Sequence, residues 1–274
     1  MADTSFLDWP FLEPKHKALH AALEAWASDN LRHVDHDNTD QTCQALVAAL
    51  GAAGILKHTG VNATFPQIDV RSLCLIRETL ARHDGLADFA FAMQGLGTMA
   101  ISLFGSDTQK ADWLPKIQSG AALSAFALSE PQSGSDVANL QLSARRDGNG
   151  YVLNGEKTWI SNGGIADVYT VFARTGEAPG GRGISAFIVP ADTPGLQIAE
   201  RLETVSPHPL ARLVFADLHL TADAMIGDPG TGFKVAMATL DTMRTTVGAA
   251  ALGFARRAFD ESLNRVKNRE LFGA

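Results

Sequence analysis

Residues 126–140, FALSEPQSGSDVANL, place an apolar lead-in before a run of serine, glycine and acidic residues. The hydroxyls of Ser129, Ser133 and Ser135 are suited to bonding carbonyl or phosphate groups. Small side chains also let a flat ligand approach the backbone and its N–H donors. The run therefore indicates a binding surface for a planar or phosphorylated ligand. Taken alone, a strand end followed by a loop explains it equally well.

Other stretches with possible chemistry are weaker. A tryptophan in KTWISNG, residues 157–163, usually belongs to a core when it lies on a strand. GDPGTGFK resembles a phosphate loop, but Phe233 separates the second glycine from Lys234. A turn followed by a helix start fits it better. His33 and His36 come closest to a metal-ligand pair, but the sequence offers no third ligand, so we expect no metal.

Composition narrows the function classes. The chain has 274 residues, with 46% hydrophobic and 19% charged residues and a net charge of -7. This acidic balance argues against a duplex nucleic-acid binder, which needs a basic face. Two cysteines, Cys43 and Cys74, fit neither a disulfide framework nor a zinc site. We expect a reducing, cytoplasmic location, because no signal or transit peptide is recognisable. No uninterrupted apolar run reaches the ~18 residues of a membrane span.

The hydrophobic period changes twice along the chain. Residues 15–120 carry apolar residues at three- and four-residue steps, which predicts helices separated by polar breaks. Ser106 or Asp107 is the expected cap of the last of these helices. From about residue 123 the period is two, and the DGNG and NG pairs predict hairpin turns. After GDPGTG one helix of about 38 residues is predicted.

These patterns predict an α+β fold with three parts. Residues 1–122 form an N-terminal helical domain, and 123–224 form a middle antiparallel β-barrel or sandwich domain. Residues 225–274 supply the first long helix of an incomplete C-terminal helical domain. Such a helix cannot be stabilised by its own propensity and has to pack lengthwise against others.

Four motifs occur in a specific order: FALSEPQSGSDVA, LNGEKTWISNGGIADVYTVFAR, GFKVAMATLDTMR and NRELFG. Together they resemble the acyl-CoA dehydrogenase family, flavoenzymes that oxidise acyl-CoA thioesters. The resemblance covers nearly the whole chain. It implies a helical domain, a β-domain and a C-terminal four-helix bundle, with FAD between the last two.

The resemblance also implies roles for individual residues. Phe126, Leu128 and Ser129 would line the flavin ring, Trp159 would flank it, and Ser161 would hydrogen-bond near its N5 atom. Arg269 would bind the FAD pyrophosphate across a subunit interface. On the substrate side, Ser135 would contact the CoA part, and Arg244 would lie near the substrate and the base.

The reaction implied is α,β-dehydrogenation of an acyl-CoA to a trans-2-enoyl-CoA. A carboxylate removes the α-proton while the β-hydride passes to flavin N5. Electrons then pass to an electron-transferring flavoprotein. Family members are dimers or tetramers, so a homo-oligomer is expected.

The resemblance breaks at the catalytic base. The family's usual glutamate would lie beyond residue 274, and some relatives carry the base in the LDTMR turn, where this chain has Met243. No catalytic residue is therefore identified, and the sequence resembles a truncated member. If the bundle is absent, the apolar face of the long helix at Val235, Met237, Leu240 and Phe254 is expected to be partly uncovered.

Two alternatives remain open. One is a non-catalytic or partner subunit that contributes a flavin half-site to a hetero-oligomer. The other is an acyl-CoA oxidase-like flavoenzyme, or a related member oxidising nitroalkanes or sulfur compounds. Acyl chain length is left open by the sequence.

Overall fold

The computed structural model describes residues 3–271, which form two compact units. The helical unit comprises the chain up to Val34, Asp69–Asp88 and the chain from Arg244. The sheet unit comprises Asp35–Ile68 and Phe89–Met243. The predicted α+β class, with helices first, a sheet in the middle and a long helix last, is confirmed. The division into domains at residues 122 and 224 stays a prediction.

Six α-helices lie within the described residues: α1 (Pro14–Asn30), α2 (Thr39–Ala52), α3 (Val70–His83), α4 (Gly85–Phe104), α5 (Asp107–Gln118) and α6 (Gly232–Asn268). Of the two predicted caps, Ser106 is the N-cap of α5. Its side chain accepts from the Gln109 N–H, and the Gln109 side chain accepts from the Ser106 N–H. The length predicted for the final helix agrees with α6, which has 37 residues.

Eight strands form one sheet: β1 (Ser124–Ala127), β2 (Ser143–Asp147), β3 (Gly150–Ser161), β4 (Val168–Arg174), β5 (Ile184–Pro190), β6 (Leu196–Arg201), β7 (Leu210–Thr221) and β8 (Met225–Ile226). Their order is β6-β7-β3-β2-β4-β5-β8, with β1 paired to β4. The sheet is mixed rather than wholly antiparallel, because β1 and β2 each pair with β4 in parallel. The β2–β3 hairpin lies between β1 and β4 in the chain and allows this direction.

One predicted hairpin turn is correct and the other is wrong. Asp147 pairs with Gly150 across a two-residue turn, in which Gly148 has a φ of 55°. The second pair, Asn154 and Gly155, lies inside β3 at a shift in register against β7. Gly155 has a φ of 140°, and a Cβ there would lie 3.0 Å from the Leu142 Cα. Its glycine therefore serves a bulge and a close approach.

The sheet unit has two hydrophobic clusters. One lies among the strands and includes the fully buried rings of Tyr169 and Phe187. The other joins α4, α5 and the start of α6 to the sheet, and Phe172 and Val235 are buried in it. Gly97 of α4 lies so close to β1 that an added Cβ would be 2.5 Å from the Ser124 Oγ. Helix α4 thus fixes the position of β1.

In the helical unit, charged contacts tie α6 to α3. Arg82 Nη2 lies 2.9 Å from an Asp260 oxygen, and Arg256 Nε lies 3.0 Å from Glu78 Oε1. Gly253 allows close packing, since a Cβ there would be 2.2 Å from the Glu78 carbonyl oxygen. These contacts bring the two backbones together.

The apolar face predicted to be partly uncovered on α6 agrees with the structure in part. Val235 is buried, whereas Met237 and Leu240 are partly buried and pack against the second cluster. Phe254 alone of the four is exposed, at 48%. The large apolar side chains exposed along this helix are Val247, Leu252, Phe254, Phe259, Leu263 and Val266. The early part of α6 therefore packs on the sheet, whereas apolar exposure concentrates after residue 246.

Helix α4 alone among residues 3–271 is long and apolar enough to cross a membrane by length and composition. Its most apolar window is 78% buried within the protein, as in a core helix. Inspection for an uninterrupted apolar run does not reveal this helix, because Asp88 and Gln94 interrupt it.

Candidate functional site

Strand β1 is held at its start by one glutamine of α4. The Gln94 amide accepts from the Ser124 N–H at 2.8 Å and donates to the Ala122 carbonyl at 2.9 Å. Gln94 is fully buried, so these bonds are shielded from water. Phe126, two residues further, is partly buried, and its ring centre lies 4.9 Å from that of Phe172. The ring is therefore fixed on its inner side by the core.

The chain leaves β1 at Leu128 and Ser129. Leu128 is buried in the second cluster, while Ser129 is half-buried. Both carbonyls face β3: Leu128 O accepts from Lys157 Nζ at 2.9 Å, and Ser129 O accepts from the Thr158 N–H at 2.9 Å. The Ser129 hydroxyl bonds to none of residues 3–271 in the structure, so its donor and acceptor capacity is available to a ligand.

A bulge in β3 places Trp159 outward. Lys157 pairs with Leu213 and Ile160 with Ala211, so two residues of β3, Thr158 and Trp159, face a single residue of β7. Trp159 has a φ of 58°, a conformation that costs a bulky residue energy, and its side chain is 59% exposed. The interpretation of this tryptophan as a core residue is therefore wrong. The bulge thus leaves the indole accessible from solvent.

A buried ion pair joins the segment after β1 to this bulge. Lys157 is fully buried, and its Nζ lies 2.8 Å from Glu130 Oε1. The Glu130 carboxylate also accepts from the backbone N–H groups of Gln141, at 2.5 Å, and Leu142, at 2.9 Å. Burial lowers the pKa of the Lys157 ammonium to about 8, although Glu130 acts in the opposite direction. The pair thus closes residues 130–142 into a loop.

Ser135 lies at the exposed tip of that loop. Glu130 and Ser133 exchange two backbone hydrogen bonds, each of 3.1 Å, which form a tight turn before it. Beyond it, Arg174 donates to the carbonyls of Ala138 at 2.8 Å and Leu140 at 3.0 Å. The loop is therefore held at both ends while its small polar tip faces solvent.

Ser161 ends β3 next to a second left-handed residue, Asn162. Asn162 has a φ of 60°, its side chain donates to the Ser124 carbonyl at 2.9 Å, and its N–H donates to the Pro209 carbonyl at 2.9 Å. Its buried Oδ1 has no hydrogen-bond partner among the described residues. Ser161 is half-buried and pairs with Leu210. Asn162 thus ties Ser161 to the start of β1.

The structure brings six of the eight predicted site residues into the sheet unit. Phe126, Leu128, Ser129, Trp159 and Ser161 are linked through the bonds between β1 and β3 described above, and Ser135 lies on the loop between these strands.

The two arginines belong to the helical unit. Arg244 is exposed on α6, and Arg269 is exposed just beyond its end. Met243 precedes Arg244 in the sheet unit, where it is buried. The roles of the eight residues stay predictions.

Comparisons with known proteins match nearly the whole chain. Sequence models of the acyl-CoA dehydrogenase N-terminal, middle and C-terminal domains match residues 13–121, 125–218 and 230–274. The probable acyl-CoA dehydrogenase fadE25 of Mycobacterium leprae is 38% identical over 267 residues, which cover 96% of this chain and 69% of that protein. The chain belongs to the acyl-CoA dehydrogenase family. Its relatives are oxidoreductases, and the match extends over both compact units.

Two solved acyl-CoA dehydrogenase structures support the fold. The butyryl-CoA dehydrogenase of Megasphaera elsdenii has a TM-score of 0.84 and 30% identity, covering 96% of this chain and 70% of that one. The glutaryl-CoA dehydrogenase of Mycobacterium smegmatis, solved in complex with FADH2, has a TM-score of 0.85 and 29% identity, covering 98% and 69%. Each of these chains is longer than the present one.

Sequence reasoning missed the residues that hold the site together: Gln94, Glu130 and Lys157 as an interacting pair, Asn162 and Arg174. The Glu130–Lys157 pair left one signal. Alternation along a strand places Lys157 on the same face as Trp159. If that face is buried, the lysine needs a partner, because lysine is almost never fully buried unless paired. The spacing of 27 residues between the partners hid the pairing.

Proposed function

We propose that this chain provides the flavin-binding face of an FAD-dependent acyl-CoA dehydrogenase, which forms a trans-2-enoyl-CoA from an acyl-CoA. The observation that carries the proposal is Trp159, exposed on a bulge that is hydrogen-bonded to the Ser129 carbonyl. When bound, the flavin would accept a hydride from the substrate β-carbon.

The residues present fit an isoalloxazine ring and its polar edge. Trp159 offers a flat apolar face, and its exposed indole is accessible to a ligand. Ser129 and Ser161 offer hydroxyls at the ends of β1 and β3, which hydrogen bonds hold together. Support also comes from the solved relative that holds FADH2.

Each group of residues then has a distinct task. Phe126 and Leu128 exclude water from the inner side of the ring, and the Ser129 and Ser161 hydroxyls orient its edge. Ser135, on the exposed tip of the loop after β1, contacts the CoA arm. Arg244 lies near the substrate, and Arg269 binds the pyrophosphate from a neighbouring subunit, which requires a homo-oligomer.

The α-proton has to be removed by a carboxylate, and position 243 does not supply one because it is a methionine. An α-proton of a thioester is weakly acidic, so its removal needs both a base within hydrogen-bond reach and donors to the thioester carbonyl. Met243 is buried, and its thioether sulfur is only a weak acceptor. Electrons would leave through an electron-transferring flavoprotein, and we propose a cytoplasmic location.

The methionine at position 243 also favours a second candidate. A subunit that binds flavin without a base of its own would serve as a partner in a hetero-oligomer. Co-purification with a second chain that supplies a carboxylate would support this alternative.

The test is the visible absorption spectrum of the 274-residue chain after incubation with FAD and desalting. Wild type should retain a perturbed flavin band, and Trp159→Ala should lose most of it. Trp9→Ala is the matched control, because Trp9 is 60% exposed but lies in the helical unit. A colourless wild-type protein, or equal loss in the two variants, would contradict the proposal.

A further inference from the structure

The Glu130–Lys157 pair touches both strands of the proposed flavin face. Lys157 precedes the bulge that carries Thr158 and Trp159, and its ammonium donates to the Leu128 carbonyl at 2.9 Å and to Glu130 at 2.8 Å. The Thr158 N–H donates to the next carbonyl, that of Ser129, at 2.9 Å. Two consecutive residues of β3 therefore hold two consecutive carbonyls after β1.

The first of these links is made by a charge in an otherwise apolar place. Lys157 has no exposed surface, and Leu128, whose carbonyl accepts from its ammonium, is a buried core residue. A buried ion pair contributes little to stability, because desolvation offsets the attraction, and apolar replacements are often neutral or stabilising. A stabilising role alone thus does not explain an ammonium at this position, where a methionine would fill similar space.

The ammonium does what an apolar side chain cannot do. It has three donors, and two of them are aimed at acceptors from different positions of the loop after β1. Because Glu130 is bonded at the same time to the N–H groups of Gln141 and Leu142, the loop is fixed at both ends through one charge. Glu130 is the one titratable group among the described residues that acts on the Lys157 ammonium.

We propose that Lys157 is a positioning residue for the flavin face: its ammonium sets the backbone of Leu128 and Ser129 against the bulge that presents Trp159. This inference rests on the proposed function in so far as the face binds FAD. The positioning itself is a property of the chain and is testable without the cofactor.

The first measurement therefore uses the protein without FAD. Hydrogen exchange monitored by mass spectrometry should show loss of protection at the Thr158, Gln141 and Leu142 amides in Lys157→Met, by about tenfold or more. Lys157→Arg, which keeps a charged donor, should restore part of it. Peptides of the β4–β5 pair serve as an internal control and should not change. Unchanged exchange in a folded Lys157→Met would overturn the inference.

The second measurement is the dissociation constant for FAD. It should rise about tenfold or more in Lys157→Met and less in Lys157→Arg, with unchanged far-ultraviolet circular dichroism. If Lys157→Met does not fold, the doubly neutral Lys157→Met/Glu130→Gln replaces it, because no charge is then left unpaired.

A pH series on wild type needs no variant. Because the pKa of Lys157 is lowered to about 8, FAD affinity should weaken from pH 7 to pH 9 as the ammonium loses its proton. Lys157→Arg keeps its charge over this range, so its affinity should stay flat. Parallel curves for the two proteins would contradict the inference.

The outcomes separate the two proposals. A wild-type chain that binds no FAD while exchange responds to Lys157→Met refutes the cofactor proposal and keeps the positioning role. If wild type and Lys157→Met bind FAD equally tightly and show the same hydrogen exchange, the positioning role is refuted and the cofactor proposal is kept.

Discussion

Two buried ion pairs are built differently in the two units. In the helical unit, Arg77 of α3 bonds both oxygens of Asp88 of α4, at 2.8 and 2.7 Å, and reaches the Thr246 hydroxyl of α6 at 3.0 Å. In the sheet unit, Lys157 bonds one oxygen of Glu130, and the remaining contacts of both partners are with backbone groups. The first pair joins three helices, and the second joins the loop after β1 to strand β3.

The chemistry of each cation suits its task. A guanidinium is planar, stays charged and matches a carboxylate with two parallel bonds, so it fixes helices in one geometry. An ammonium is a compact charge that loses its proton more easily when buried. The pair beside the candidate site therefore has a cation that can lose its proton at alkaline pH, whereas the guanidinium of the pair among the helices stays charged. Breaking the Arg77–Asp88 pair should lower stability alone, whereas breaking the Glu130–Lys157 pair should lower both stability and flavin binding.

Arg77→Met should give the largest effect on stability. It leaves Asp88 buried without its counter-charge, and the free energy of unfolding should fall by about 3–5 kcal/mol. Urea denaturation measures the loss, and Arg77→Met/Asp88→Asn, which removes both charges, should recover part of it. FAD retention by the folded fraction should not change. A loss below about 1 kcal/mol would show that the bidentate pair is not required.

Glu130→Gln should reduce both properties. The amide can still accept one backbone hydrogen bond, but the buried Lys157 ammonium loses its counter-charge, so the free energy of unfolding should fall by about 2–3 kcal/mol. Unlike the change at Arg77, this variant should also retain less flavin after desalting. Glu156→Gln is the control, since Glu156 is a half-exposed carboxylate of β3, the strand that carries Lys157. Normal flavin retention in Glu130→Gln would remove the contrast between the two pairs.

Arg174→Ala should have a smaller effect, of about 1–2 kcal/mol, because this arginine bonds neutral backbone carbonyls rather than a carboxylate. Its main consequence should be local. Limited proteolysis should cut residues 131–140 faster in the variant, and Arg146→Ala, at an exposed position of β2, provides the control. Equal cleavage in the two variants would mean that Glu130 alone fixes the loop.

The pH dependence of stability should show the smallest effect. The pKa of Lys157 is about 8 in the folded chain, below the 10.5 of the free side chain, so the unfolded state binds more protons between these values. The free energy of unfolding should therefore rise with pH above 8, by about 1–2 kcal/mol. In Lys157→Met, the free energy of unfolding measured by urea denaturation should not rise between pH 7 and pH 9. FAD affinity should move in the opposite direction.

The sequence predicts the parts of the fold that depend on local patterns. Helix α6, the Ser106 cap and the turn at Gly148 all follow from periodicity or from one or two residue types. The parallel pairing of β1 with β4 does not, because it depends on contacts between residues more than 40 positions apart. The second Asn-Gly pair has a turn signal, but the approach of Leu142 uses its glycine inside β3 instead.

The candidate site follows the same division. Ser129, Trp159 and Ser161 are visible in the sequence as motif residues, and the structure brings them together. That Trp159 is exposed could not be predicted, because alternation along a strand places positions 157 and 159 on one face, and only the bulge separates a buried lysine from an exposed tryptophan. The supporting bonds of Gln94, Asn162 and Arg174 link distant segments and leave no local pattern.

The bulge also determines which changes in chain length the protein tolerates. Residues 158 and 159 lie opposite a single residue of β7, so a chain shortened by one residue here would pair with β7 more regularly than the present chain does. That shorter chain would nevertheless lose the amide that reaches Ser129 or the indole that faces outward. We therefore expect a deletion at residue 158 or 159 to disturb the proposed flavin face more than a substitution within β3 does.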